Sequence, residues 1–295
     1  MSPWRPSLIV AVDWSAASTI GPRSPSPDRC WIAWSMPGHA PGPEYFRTRG
    51  ACTERVLELL ETHDAPALVG FDFPIGYPPS LVGEALLPEG RALVERIASM
   101  IEDNGDATNN RFEVAAALNA EIRVATGMPV GPFWGRPARR PVAGLTVTKP
   151  RETGVREHRA IERTLRERGR RIHSPYQLMG IGSAGSQALM GLPAIDRILR
   201  ARPGRATLWP FEPITRGDAI ALAEIYPSLF GCDHIDHPIK DARQVVATRD
   251  ALRDAWSAGG EPLEAPEHAR REGWIAGVAP CGEPCEAPRT ARPDA

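Results

Sequence analysis

Two hydrophobic periods divide the chain. Leu8-Ile9-Val10-Ala11-Val12 is an unbroken apolar run bounded by Pro6 and Asp13, the pattern of a strand buried on both faces. Residues 14–29 hold Ser, Thr, Gly and three Pro, which predicts an exposed loop. A strand pattern resumes over 30–34, and 45–48 is expected to pair with it. Val56, Leu57, Leu59 and Leu60 repeat with helical spacing, and 67–73 is a second buried-strand run stopped by Pro74.

From about residue 79 to 205 the helical period dominates. Leu93, Val94, Ile97, Met100 and Ile101 fall on one helical face, with Gly105 available as the stop. Asn110 followed by Glu113 resembles a capping box opening a helix to Gly127, ahead of a Pro/Gly-rich segment over 128–144. Two further helices are expected near 153–168 and 185–201. Strand signals return at 206–211 and 219–226, and a long helix should cover 241–256. The pattern is an α/β sheet core over 1–278 interrupted by a helical insertion at about 79–205. Residues 279–295, with few large apolar groups, read as a disordered tail.

Composition narrows the class without fixing it. At 295 residues the chain can build a core without disulfide or metal staples. Thirty-five basic residues oppose 36 acidic ones, so the overall field offers no general attraction to nucleic acid or to an anionic membrane. Any phosphate partner must be held by a local patch. All but Lys149 and Lys240 of the basic residues are arginine, the better fork for phosphate and carboxylate. Five scattered cysteines do not read as a disulfide framework, and no apolar run reaches a membrane-spanning length, so a cytoplasmic location is expected.

Three expected strands finish on acids: Asp13, Asp72 and Glu224. In open α/β sheets, sites form beyond the carboxyl ends of strands, where acids distant in sequence can meet. Each could instead cap a turn or pair with an arginine. On the last helix Asp250 and Asp254 stand four apart on one face, and Asp254 reads equally as a solvated helix acid. A cluster of carboxylates suits Mg²⁺ or Mn²⁺, which take hard oxygen ligands and can support phosphoryl transfer.

Four segments carry a family resemblance: Val-Ala-Val-Asp-Trp-Ser-Ala at 10–16, Gly-Phe-Asp-Phe-Pro-Ile-Gly-Tyr-Pro at 70–78, Ala-Glu-Ile-Tyr-Pro-Ser-Leu at 223–229 and Asp-Ala-Leu-Arg-Asp-Ala-Trp-Ser-Ala at 250–258. In this order they resemble domain of unknown function 429, a bacterial family described as predicted nucleases with an RNase H-like fold. The resemblance implies one RNase H-like α/β domain, a mixed sheet flanked by helices with a large helical insertion. It makes Asp13 the first-strand acid and Asp72 the fourth-strand acid, with Glu224 and Asp250 as later carboxylates. All four are then expected as catalytic residues and metal ligands of a divalent-metal-dependent phosphodiester hydrolase acting on nucleic acid or a small phosphorylated substrate. A nucleotide-dependent phosphotransferase and a non-catalytic phosphate-binding protein remain as alternatives on the same fold.

Twelve basic residues lie between Trp134 and Arg171 against four glutamates. A mobile basic insertion could hold a polyanion, with Arg136, Arg156 and Arg159 on phosphates and Trp134 as a stacking surface. A helix laced with Glu/Arg pairs is the alternative, and Trp134 could equally be core. Gly180-Ile-Gly182-Ser-Ala-Gly185 has the letters of a dinucleotide fingerprint but lacks a buried strand before it and an acid about twenty residues after. A helix starting near Ser183 could still offer amides to a phosphate. Cys232, Asp233, His234, Asp236 and His237 lack the paired spacing of a zinc site and read as a polar loop.

Overall fold

The apolar run that opens the chain becomes β1 (Leu8–Asp13), the third of six strands in one mixed sheet. The structure, a computed structural model, describes residues 4–82 and 86–285. β2 (Cys30–Ser35) runs antiparallel to β1, and β3 (Glu44–Phe46) runs antiparallel to β2. Helix α1 (Arg49–His63) then crosses over to β4 (Ala67–Phe71), which pairs in parallel with β1, as a parallel connection requires. Helices α2 (Gly90–Met100), α3 (Arg111–Thr126), α4 (Ala160–Glu167) and α5 (Ala184–Ala201) intervene before the parallel strands β5 (Ala206–Leu208) and β6 (Ile220–Glu224). The sheet order is β3-β2-β1-β4-β6-β5. A short 3₁₀ turn (Pro227–Leu229), α6 (Lys240–Ser257) and the single-turn α7 (Ala269–Glu272) complete the chain.

Both sheet faces are covered, which explains why β1, β4 and β6 are apolar at every position but the final acids Asp13 and Glu224. Leu8, Val10, Val12, Val69, Phe71 and Leu222 face a core shared with α1, α2, α3 and α5. Ile9, Ala11, Leu68, Ala221 and Ala223 face a second core formed with α6 and Trp274. Of the helices between β4 and β5, α2, α3 and α5 pack into the first core, and α4 places Ile161 and Leu165 in the second. Close packing reaches the backbone at Gly70, where an added Cβ would sit 2.4 Å from Cγ2 of Ile225, the residue after β6. Among the described residues no helix is long and apolar enough to cross a membrane.

Several local expectations are corrected. Helix α2 ends at Met100, five residues short of Gly105, because Asn110 reaches back to it: its Nδ2 donates to Met100 O at 2.9 Å and its Oδ1 accepts from Glu102 N at 2.9 Å. The Asn110 side chain therefore makes no cap bond to α3, although α3 does end on a left-handed Gly127. The helix expected from 153 starts only at Ala160, where Glu162 accepts from the Arg159 backbone N–H at 2.7 Å. Residues 279–285 are also ordered: Cys285 N donates to Gly277 O at 2.6 Å and Ala279 N to Glu283 O at 2.9 Å, closing a turn with Gly282 at φ 86°. The remainder of the expected tail, 286–295, lies outside the described residues.

Gly70→Ala should lower stability by about 1–3 kcal/mol through overpacking against Ile225, read as a fall in the urea midpoint at unchanged slope.

Candidate functional site

Strand register decides which of the three strand-end acids meet. Val12 is level with Phe71, and Phe71 with Glu224, so Asp13 and Asp72 stand abreast one residue further on. The Asp72 N–H continues the ladder by donating to Val12 O at 2.9 Å. Side chains alternate between the faces of a strand. Asp13 and Asp72 therefore share the phase of Ile9, Ala11 and Leu68 on the α6 face, whereas Glu224 shares the phase of Ile220 and Leu222 on the other.

Asp13 and Asp72 adjoin in a cleft, partly open to solvent but deeply surrounded by protein. Desolvation, followed by repulsion from Glu224 and Asp241, pushes the Asp72 carboxyl up to about 7, against the pull of the adjoining Asp13 carboxyl. Desolvation and the Asp72 charge, with smaller repulsion from Asp241 and Cys30, hold Asp13 well above the usual carboxylate range. The pair thus retains a proton that a lone aspartate would lose.

The third carboxylate of this cleft is Asp241, in the first turn of α6. Desolvation and the neighbouring Asp28 raise it, partly offset by the Asp28 N–H, which donates to its Oδ2 at 2.7 Å. Asp28 makes that bond from a left-handed backbone, φ 57°, which aspartate tolerates better than most residues. The loop after β1 is fixed by Arg49, which donates to Ser15 O at 3.1 Å and Ala17 O at 2.6 Å while forking Asp103. Gln187 of α5 closes the other side, its Nε2 2.7 Å from Trp14 O.

Glu224 is occupied. Arg159 grips it through two bonds of 2.7 Å and grips Glu162 at 2.9 and 3.0 Å, and Ile75 N adds a further bond to Glu224 at 3.2 Å. All three charged side chains are buried. Burial raises Glu224 despite Arg159, while at Glu162 the Arg159 charge and the His158 and Arg159 bonds outweigh burial and leave its carboxyl low. Arg159 is therefore the counter-ion of two buried glutamates, beside a hollow that it lines with Asp72 and Glu224.

The other expected site residues fall elsewhere. Asp250 lies nine residues along α6 from Asp241, about 13 Å at 1.5 Å per residue, and is held by Arg249 and by Arg253 at 2.6 Å. Arg136 clamps its own loop, donating to Leu145 O and Pro137 O at 3.1 Å. Trp134 and Arg156 line a separate hollow of about 640 Å³ with Lys149 and Arg151, sharing no lining residue with the carboxylate cleft. Part of the basic segment is paired, as in Lys149–Glu157, Arg140–Glu113 and Arg159–Glu162. His237 turns its ring onto Ile239 N at 3.1 Å within a polar loop.

The carboxylate cleft has a volume of about 590 Å³. Asp13, Asp72, Asp241, Arg111 and the Gly180–Ser183 loop all line it. Among the described residues no three His, Cys, Asp or Glu side chains converge tightly enough to hold a metal ion by themselves. The four-carboxylate set of Asp13, Asp72, Glu224 and Asp250 is thus not assembled. Sequence reasoning missed Asp241 and Arg111. The available signal for Asp241 was its position in the first turn of a helix that follows a buried strand; Arg111 carried none.

Two consequences are measurable. Because Asp72 is raised, its ionisation penalises the folded state as pH climbs from about 4 to 7. Asp72→Asn should therefore be more stable than wild type at pH 8, with the gap closing toward pH 4, in urea melts at both values. Arg159→Met strands two buried carboxylates and should cost about 3–5 kcal/mol near neutral pH, with a smaller loss in acid.

No protein-family model, curated protein or solved structure matches this chain.

Proposed function

We propose that the protein is a divalent-metal-dependent phosphodiester hydrolase of RNase H-like architecture, related to domain of unknown function 429. The observation that carries this reading is the Asp13–Asp72 pair, set on adjacent parallel strands with Asp241 facing it from the start of α6. The first-strand and fourth-strand acids implied by the family resemblance are the two that meet. Five free cysteines support a reducing compartment such as the cytoplasm.

The donor set fits a hard cation. Two crowded carboxylates that retain a proton because of desolvation and mutual repulsion would release it to a divalent ion, which relieves both effects. Mg²⁺ ordinarily takes one or two carboxylates and completes its shell with water and substrate phosphate, so a site with fewer than three converging ligands suits it. Asp13 and Asp72 would hold the ion, and the Asp241 charge nearby would add to its attraction. When bound, the ion supplies Lewis acidity toward a phosphoryl oxygen and toward water.

The chain's own groups do the remainder. Arg159 and Ile75 N–H keep Glu224 fixed, so that its charge bears on Asp72 without competing for the ion. Asp241, held by the Asp28 N–H, can accept a proton from water entering the cleft. The partners in chemical terms are nucleic acid or a small phosphorylated molecule, since an arginine and the glycine-rich 180–183 loop line the same cleft as these acids.

Calorimetric titration with Mn²⁺ tests the site directly. Saturable binding is expected in wild type and in Asp250→Asn, with affinity falling at least about tenfold in Asp13→Asn and Asp72→Asn. Binding untouched by either of the latter, or lost in Asp250→Asn, would remove the reading. Hydrolysis of a bis(nitrophenyl) phosphate probe should disappear with Asp72→Asn.

A further inference from the structure

The lining of the aspartate cleft includes a cation without a counter-ion. Arg111, the first residue of α3, is fixed by three neutral acceptors: its Nε donates to Ser186 Oγ at 3.0 Å, and its Nη1 to Ser18 Oγ and Asn109 Oδ1, both at 2.7 Å. Its carbon Cζ lies 4.5 Å over the Phe112 ring. The remaining nitrogen, Nη2, has no protein acceptor among the described residues. Neighbouring cations are treated differently: Arg49 forks Asp103, and Arg140 pairs with Glu113.

The setting is short of negative charge. Desolvation, then repulsion from Arg49 and Arg140, lowers Arg111 to about 10. A guanidinium locked by two nitrogens and leaving the third unpaired is pre-organised for an oxyanion, because little side-chain freedom remains to be lost on binding. No carboxylate among the described residues fills this role, although three line the same cleft.

The rim beside Arg111 is apolar. Ser186 Oγ, which accepts from Arg111, donates in turn to Leu178 O at 2.6 Å, tying the guanidinium to the loop that follows. In that loop Met179 is 50% exposed and Ile181 82% exposed, and both line the cleft. Gly180 and Gly182 flank Ile181 at φ 95° and 73°, a backbone that presents the side chain outward. Exposed single apolar residues are ordinary, but two in one loop at the mouth of a charged cleft form a surface for an apolar body.

We infer that Arg111 anchors a phosphate group of the substrate and that Met179 and Ile181 receive the flat or apolar body attached to it, so that the cleft takes a nucleotide unit in preference to a bare phosphate. This rests on reading the cleft as a phosphodiester site, but it does not require a metal. Arg111 is a binding residue in this account and the aspartates remain the acid–base and ion-holding groups.

The test uses the full chain carrying Asp13→Asn and Asp72→Asn, without metal ions, so that anion binding is read apart from the ion site. Thymidine 5′-monophosphate and inorganic phosphate are titrated calorimetrically. The nucleotide should bind saturably and more tightly than phosphate. Adding Arg111→Gln should weaken the nucleotide by at least about tenfold, and Arg111→Lys, which keeps charge but not the fork, by a few-fold. Ile181→Ser should weaken the nucleotide about threefold and leave phosphate unchanged. Failure of Mn²⁺ to bind wild type bears on the ion site alone. Absence of nucleotide binding in the double variant, equal affinity for nucleotide and phosphate, or affinity unchanged in both Arg111 variants would overturn the inference; should Arg111→Gln not fold by thermal melt, Arg111→Lys decides it.

Discussion

Asp13 and Asp72 stand abreast because β1 and β4 are parallel neighbours whose register is pinned by apolar side chains on both faces. A slip of one residue in either strand would turn every buried side chain toward the opposite core, so the pairing has little freedom. Two carboxyl groups are thereby forced together at the mouth of the sheet, in surroundings that favour their protonated form. The hydrophobic cores supply the free energy that offsets this repulsion, and the result is a strained spot at the carboxyl edge where α/β sheets place their chemistry.

The surrounding polar groups sort themselves around that pair. Glu224, one register position earlier, points to the other face and would be an unpaired buried charge without Arg159. Arg159 also binds Glu162, and the backbone N–H that follows it donates to Glu272 at 2.9 Å, so α4, β6 and α7 are fastened by one buried network. A guanidinium is suited to this task because its planar fork satisfies two carboxylates at once. The same network holds the arginine-rich insertion against the sheet, which is why its central arginine is structural while Arg111, from an earlier helix, faces the cleft.

Much of the architecture was legible in the pattern of residues. The strands β1, β2, β4 and β6 and the helices α3, α5 and α6 follow from apolar runs and helical spacing, since each element buries a continuous face. Local signals misled where a polar side chain had two possible partners. Asn110 looked like a cap for α3 and instead closes the end of α2, because the returning chain brings Met100 and Glu102 within its reach. Residues 153–159 carry charges that suit a helix, but they form an irregular approach to Arg159, whose burial fixes where α4 can begin.

The sequence by itself determined that acids end three buried strands, and that such acids must be paired, protonated or bound to a cation. It also carried the phase of every strand, since alternation follows from the pleat. Only the tertiary structure decided the register between strands, which joins Asp13 to Asp72 and leaves Glu224 to Arg159, and the placement of α6, which brings Asp241 to the cleft and leaves Asp250 among arginines. Partners far apart in the chain are chosen by packing of the apolar faces, and a carboxylate's neighbours follow from that choice; nothing in the residues next to it encodes them.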